Sequence, residues 1–165
     1  TQPGSCAIQI LPCYRSCSVR WPPLRKRTLI NIDCSAAICS IGSLNVRSLG
    51  NKSAAVSQTI VDNKLDLFAV VESWHDSAES PSFVASTPPG YRVLERARPR
   101  TGRASTTMTS NHGGICVFVR TDIQVKIVDF PAYKSFELLP LFVRVGSTSF
   151  VFIVVYRPYP ASAVT

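Results

Sequence analysis

The residue best placed to do chemistry is Glu72, which directly follows the apolar run Leu67-Phe68-Ala69-Val70-Val71. A carboxylate at the C-terminal tip of a buried strand is held rigidly at the edge of a core, and a hard cation that takes oxygen ligands would suit such a place. The plainer reading is a solvated strand-end acid. Asn45 stands near the end of an earlier strand-like stretch, where its amide oxygen could support a cation or a phosphate oxygen, or simply close a turn. Tyr156 precedes Arg157-Pro158 at the end of a later apolar stretch. A phenol there could donate to a phosphate oxygen as charge develops, or serve as half-buried core. Arg92, Arg96, Arg98, Arg100 and Arg103 offer cations to a polyanion, or form an ordinary solvated loop. His75 and His112 are the only histidines and read as surface loop residues, and Gly113-Gly114 as a tight turn.

These residues need a scaffold, and the periodicities supply one from residue 41 onward. Leu44-Asn45-Val46-Arg47-Ser48-Leu49 alternates like a short strand and stops at Gly50-Asn51. A helix is expected over residues 52–63, with Ala55, Val56, Ile60 and Ala54 near one face, Asn51 capping its start and Asn63 closing its end. The run Leu67-Phe68-Ala69-Val70-Val71 has strand length and unbroken apolar character, the mark of a strand buried on both faces. Further strands are expected at Tyr91-Arg92-Val93-Leu94, after the turn signal Pro88-Pro89-Gly90, and at Ile115-Cys116-Val117-Phe118-Val119. Residues 98–113 form a loop, and 141–145 with 150–156 form a hairpin around Gly146-Ser147-Thr148-Ser149. In the last strand both alternating sets are apolar, so it expects cover on both faces. Residues 1–40, with Pro3, Pro12, Pro22, Pro23 and the cluster Arg25-Lys26-Arg27, show little periodicity and read as a poorly ordered leader or linker.

Bulk properties bound the rest. A chain of 165 residues, 45% hydrophobic and 17% charged, fits one folded domain rather than a disordered one. No apolar run suffices to cross a bilayer; residues 29–44 come closest and are interrupted by Asp33, so they read as neither signal nor anchor. The first residue is Thr, which suggests an incomplete or processed N-terminus. The net charge of +8 is uneven: residues 1–50 carry six Lys/Arg against one acid, 51–90 two against five, 91–120 six against one and 121–165 four against three. Two basic blocks flanking an acidic one favour a polyanionic partner. Five of the six cysteines precede residue 40 and lack the spacing of a zinc site, with no histidine nearby, so reduced, incidental thiols are expected.

Taken in order, several motifs form a recognisable series: Leu44-Asn45-Val46-Arg47-Ser48-Leu49-Gly50-Asn51-Lys52, a helix, Asp66-Leu67-Phe68-Ala69-Val70-Val71-Glu72-Ser73-Trp74, Gly113-Gly114-Ile115-Cys116-Val117-Phe118, and Val154-Val155-Tyr156-Arg157-Pro158. The series resembles the endonuclease/exonuclease/phosphatase superfamily. More narrowly it is similar to the apurinic-endonuclease-like domain of non-LTR (LINE-type) retrotransposon polyproteins. The resemblance covers residues 41–160 and matches the N-terminal part of that domain. It implies an α/β (α+β) fold, an incomplete four-layer αββα sandwich with its site at the strand tips between two sheets. Residue by residue, it implies that Asn45 is the first active-site asparagine, Glu72 the principal Mg²⁺ ligand (with Mn²⁺ an alternative ion) and Tyr156 the group that touches the scissile phosphate. Arg96, Arg98, Arg100 and Arg103 fall where a DNA-facing loop could lie. The implied reaction is phosphodiester hydrolysis that nicks a DNA target site, inside the cell and in the nucleus when acting on DNA, with no small-molecule cofactor and no membrane.

The family's water-activating Asp-x-Asn pair and terminal Ser-Asp-His set have no counterpart after Tyr156. The expectation is therefore a truncated domain over residues 41–165, inactive or nearly so, with an uncovered apolar sheet face that favours poor solubility or self-association. Three other readings stand beside it. One is a non-catalytic remnant that binds nucleic acid weakly or not at all. Another is a phosphoesterase of the same fold acting on lipid or inositol phosphates, since those branches share the glutamate tip. The third is a secreted module held by disulfides. Titration of the thiols under denaturing conditions should find all six cysteines reactive; any shortfall would expose bridges and favour the secreted module.

Overall fold

The computed structural model describes residues 5–12, 18–19, 27–34, 37–98, 112–131, 133 and 135–157, with strand pairing alone described up to residue 37. In chain order its elements are β1 (Ser5–Pro12), β2 (Ser18–Val19), β3 (Arg27–Cys34), β4 (Ala37–Asn45), α1 (Ser53–Asp62), β5 (Leu67–Val71), α2 (Pro81–Ser86), β6 (Tyr91–Arg96), β7 (Ile115–Arg120), β8 (Gln124–Ile127), β9 (Glu137–Val145) and β10 (Thr148–Arg157). They make two sheets. One has six strands in the order β2-β3-β4-β5-β7-β6, and the other four in the order β1-β10-β9-β8.

β5 is the centre of the larger sheet, and all five of its residues are buried. It runs parallel to β4, with Ile41 opposite Leu67 and Asn45 opposite Val71, and antiparallel to β7. A parallel neighbour requires a crossover, and α1 supplies it. Asp66 fixes the lower end of this trio. Its carboxylate accepts from Ser40 N at 2.7 Å and pairs with Arg120 at 2.6 Å, while its backbone carbonyl takes Arg120 N at 3.0 Å. The strand tips at the opposite end are thereby brought level with one another.

Alternation on these strands separates two cores. Leu67, Ala69 and Val71 of β5, with Ile115, Val117 and Val119 of β7, meet Leu139, Leu141 and Val143 of β9 and Phe150, Phe152, Val154 and Tyr156 of β10 between the sheets. Phe68, Val70, Cys116 and Phe118 point the other way, onto Val56 and Ile60 of α1 and Phe83 of α2. Among the described residues the molecule is thus a mixed α/β structure of three layers: helices, six-stranded sheet, four-stranded sheet. β10 buries Phe150, Phe152, Val154 and Tyr156, while Val151, Ile153 and Val155 on its outer side remain half-buried.

Several local expectations are corrected or filled in. The first forty residues, read as leader or linker, hold β1, β2, β3 and the start of β4. β1 is joined to β10 and β3 to β4, so these strands draw their order from pairing rather than from a pattern of their own. The strand expected at residues 44–49 ends at Asn45, because Arg47 (φ 48°) and Ser48 (φ 87°) turn left-handed. Lys52, not Asn51, occupies the N-cap, and no side chain caps there; Ser53 hydroxyl instead donates to Leu49 O at 2.8 Å. Ala54 and Ala55 face solvent, and Ser53, Val56 and Ile60 form the buried stripe. At the other end Asn63 does close the helix, donating from Nδ2 to Thr59 O at 2.8 Å. The short α2 and β8 were not foreseen: one is six residues with a single large apolar anchor, the other four mostly exposed residues. Gly146 has a positive φ of 58° at the first position of the two-residue turn joining β9 to β10, the type II′ pattern that suits strand twist.

Phe152 is fully buried between the sheets whereas Phe142 on the neighbouring strand is 38% exposed. Denaturant unfolding of Phe152→Ala should show a loss of about 3–5 kcal/mol. Phe142→Ala should stay within about 1 kcal/mol. Similar losses from both would contradict the assignment of the inner and outer faces.

Candidate active site

Two loops leave the tips of β4 and β5 side by side, and the backbone laces them together. Val46 N donates to Val71 O at 3.1 Å, Ser48 N to Glu72 O at 2.7 Å and Leu49 N to Ser73 O at 3.1 Å. The geometry demands left-handed backbone at four non-glycine residues: Arg47, Ser48, Glu72 (φ 56°) and Trp74 (φ 55°). Each such residue costs roughly 1–2 kcal/mol relative to ordinary helical or extended backbone, so the loops hold only because their surroundings over-determine them. Lys52 at the start of α1 helps by donating from Nζ to the carbonyls of Val46 and Arg47. On the other side, Ser73 N and Trp74 N donate to Gly114 O at 3.3 Å and Gly113 O at 2.8 Å.

The strained turn delivers the Glu72 carboxylate to the mouth between the two sheets. Glu72 is 8% exposed. Its Oε1 accepts from Asn45 Nδ2 at 2.7 Å and from Tyr156 Oη at 2.8 Å. The three residues named in the sequence as candidates for chemistry, from β4, the β5 tip and β10, therefore converge on one oxygen atom. A carboxylate can only accept, so the Asn45 amide must present its nitrogen to Glu72 and turn Oδ1 away. That Oδ1 is buried and has no hydrogen-bond partner.

Tyr156 remains a neutral donor here. Burial raises its pKa first, the hydrogen bond to Glu72 and that carboxylate's charge raise it further, and the Arg98 guanidinium pulls modestly the other way. The Arg98 Cζ atom sits 5.9 Å from the centre of the Tyr156 ring. Arg98 is ion-paired with Glu137, which lies opposite Tyr156 across the β9–β10 ladder and accepts from Gly114 N at 2.7 Å.

Each described arginine of the set has its own partner. Arg96 spends a guanidinium nitrogen on Leu138 O at 3.1 Å, bridging β6 to the second sheet, and Arg92 one on Ile123 O at 3.0 Å in the turn between β7 and β8. Arg98 borders Tyr156, while Arg100 and Arg103 lie outside the described residues. The reading of His75 as a surface loop residue is corrected: it is 2% exposed and bonded at both ring nitrogens. His112 is exposed and stacks on Trp74, ring centres 4.3 Å apart. Glu95, Glu137, Ser73 and Lys52 escaped the sequence reading. Glu95 and Glu137 meet partners 20 and 39 residues away and Lys52 meets backbone carbonyls, while Ser73 meets His75 two residues on, a contact that only the left-handed turn creates.

Among the described residues no cluster of three or more His, Cys, Asp or Glu could hold a metal ion, and no helix is long and apolar enough to cross a membrane. No protein-family model and no curated protein matches the chain. The chain is similar in structure to the AP endonuclease LMAP from Leishmania major, with a TM-score of 0.46 and 11% identity over 67% of this chain. It spans 37% of the length of that protein. A likeness this loose transfers no residue roles, and the fold class stands on the strand order and layers themselves.

Because its pKa is raised in the folded state, Tyr156 contributes stability that is fully present below the ordinary tyrosine value near 10 and is lost as pH climbs above it. Phenolate absorbance should show Tyr156, identified by difference from Tyr156→Phe, ionising above the range of exposed tyrosines. Ionisation together with them would dissolve the Glu72–Tyr156 contact.

Proposed function

We propose that this chain carries the metal-holding and phosphate-contacting part of a Mg²⁺-dependent DNA endonuclease site, of the apurinic-endonuclease-like kind found in LINE-type retrotransposon polyproteins. The observation that carries the reading is the meeting of Asn45, Glu72 and Tyr156 on a single carboxylate oxygen. These are the three positions the motif series singles out, separated by 27 and 84 residues. Unrelated strand-end residues have no reason to meet this way.

The donor set fits a hard cation. Both hydrogen bonds to Glu72 fall on Oε1, and no described residue donates to Oε2. Glu72 Oε2 and the unpartnered Asn45 Oδ1 are the oxygens available to Mg²⁺ or Mn²⁺, ions that prefer oxygen ligands and keep several waters. When bound, the ion would offset phosphate charge and stabilise the leaving oxygen. The chain's own residues do the rest. Asn45 fixes the carboxylate's orientation. The Tyr156 hydroxyl, kept neutral by burial and by Glu72, carries a single proton, which would turn from Glu72 Oε1 to a phosphate oxygen when one is present. Arg98 adds positive charge beside it.

DNA as substrate draws on the net charge of +8 and on this arrangement of anion-facing donors; action in the nucleus and target-site nicking belong to the same proposal. Nothing among the 165 residues matches the water-activating Asp-x-Asn pair. A missing general base costs about 10²–10⁴ in rate, so these residues on their own should bind the ion and DNA but turn over slowly at best.

Mn²⁺ titration followed by electron paramagnetic resonance should show binding to the wild-type chain and its loss in Glu72→Gln, while supercoiled plasmid with Mg²⁺ remains unnicked by either. Equal Mn²⁺ binding by both chains would remove the metal assignment. Robust Mg²⁺-dependent nicking that disappears in Glu72→Ala would overturn the inactivity.

A further inference from the structure

Ser73, His75 and Glu95 form a buried chain of hydrogen bonds that begins one residue after Glu72. The Ser73 hydroxyl lies 2.6 Å from His75 Nδ1, and His75 Nε2 lies 2.7 Å from Glu95 Oε2. Ser73 and His75 are 1% and 2% exposed, and Glu95 on β6 is partly exposed. The Glu95 carboxylate can only accept, so Nε2 carries a proton and donates to it, while Nδ1 meets the Ser73 hydroxyl. The ring also packs on Phe83 of α2, centres 4.6 Å apart. Gly114 closes the remaining side: a Cβ there would come within 2.9 Å of His75 Cε1, His75 Nδ1 and Ser73 Oγ, and its φ of 89° suits glycine alone.

A hydrolytic serine triad has these residue types but not this arrangement. In a triad the serine meets Nε2 and the acid meets Nδ1; here the two nitrogens are exchanged, and a 1% exposed Ser73 admits no substrate. What the three residues do enclose is the strained turn. Ser73 is flanked by Glu72 and Trp74, both left-handed, and the chain of bonds ties that turn to β6 and α2.

We propose that His75 and Glu95 are positioning residues that, through Ser73, hold the left-handed turn and thereby set the Glu72 carboxylate against Tyr156 and Asn45. The consequence for metal affinity rests on the reading of Glu72 as the metal-holding carboxylate; the consequence for the Glu72–Tyr156 contact does not. Holding a ligand from one layer out commonly matters by about 10–100-fold in metal affinity.

The test uses Glu95→Ala, which removes the outer acceptor, and Glu95→Gln, which keeps an oxygen to accept from Nε2–H. Ser73→Ala breaks the inner link with a smaller change. Two readouts are taken: Mn²⁺ affinity by electron paramagnetic resonance, and the ¹³Cζ resonance of Tyr156 at neutral pH, assigned by its loss in Tyr156→Phe. In Glu95→Ala and Ser73→Ala the Tyr156 resonance should move toward its position in Glu72→Gln, and Mn²⁺ affinity should fall by about 10–100-fold. Glu95→Gln should restore both. If Glu95→Ala and Ser73→Ala lower the unfolding midpoint but leave the Tyr156 resonance at its wild-type value, the bonds serve stability alone and the positioning role is overturned. If Glu72→Gln itself leaves Mn²⁺ binding unchanged, the metal reading fails, and the Tyr156 resonance still decides the positioning role.

Discussion

Glu72 Oε1, with Asn45 and Tyr156 donating to it, is the point on which the upper end of the molecule is organised. A carboxylate that is 8% exposed loses most of its hydration and must recover it from fixed donors. Those donors come from β4 and β10, so satisfying Glu72 also ties the larger sheet to the smaller one. The parallel β4–β5 pairing brings Asn45 to the level of Val71, and the face-to-face packing of the sheets brings Tyr156 across. Should either register slip by one residue, the side chains would point to the opposite face and the carboxylate would lie buried without its partners.

Backbone strain is concentrated in the same place. Four non-glycine residues with positive φ lie in the two loops that carry Asn45 and Glu72, while a fifth, Lys64, lies in the turn between α1 and β5. Strain of this kind survives only where neighbours leave no alternative, and here the neighbours are specific. They are the three backbone bonds lacing the loops, Lys52 on the carbonyls of Val46 and Arg47, the Ser73–His75–Glu95 bonds, and the close fit of Gly114. Rigidity at the tip follows from this over-determination, and a site that must hold a carboxylate in one place benefits from it.

Charge around the mouth is more balanced than composition suggests. The chain as a whole carries +8, but Arg98 is set against Glu137, and Arg92 and Arg96 are engaged with backbone carbonyls. Among the described residues Arg96 thus braces the two sheets and Arg98 borders the Tyr156 ring, each in fixed geometry.

The sequence by itself determined the elements whose physics is local. Leu67–Val71 reads as a strand buried on both faces because every residue in it is apolar, and β7 and the β9–β10 hairpin follow from similar runs and a glycine turn. The ordered motifs also singled out Asn45, Glu72 and Tyr156 and, through the resemblance, set them in one site, though not that they would meet on a single oxygen atom. Tertiary structure alone decided that meeting, since two donors reach one oxygen only after β4, β5 and β10 have been placed in two packed sheets. It also decided the burial of His75, which looks like a loop residue in sequence because its partner Glu95 lies 20 positions away on another strand. Alternation and turn chemistry are written in neighbouring residues, whereas hydrogen bonds between strand tips depend on how whole sheets are laid together. The strands could therefore be read before the site could.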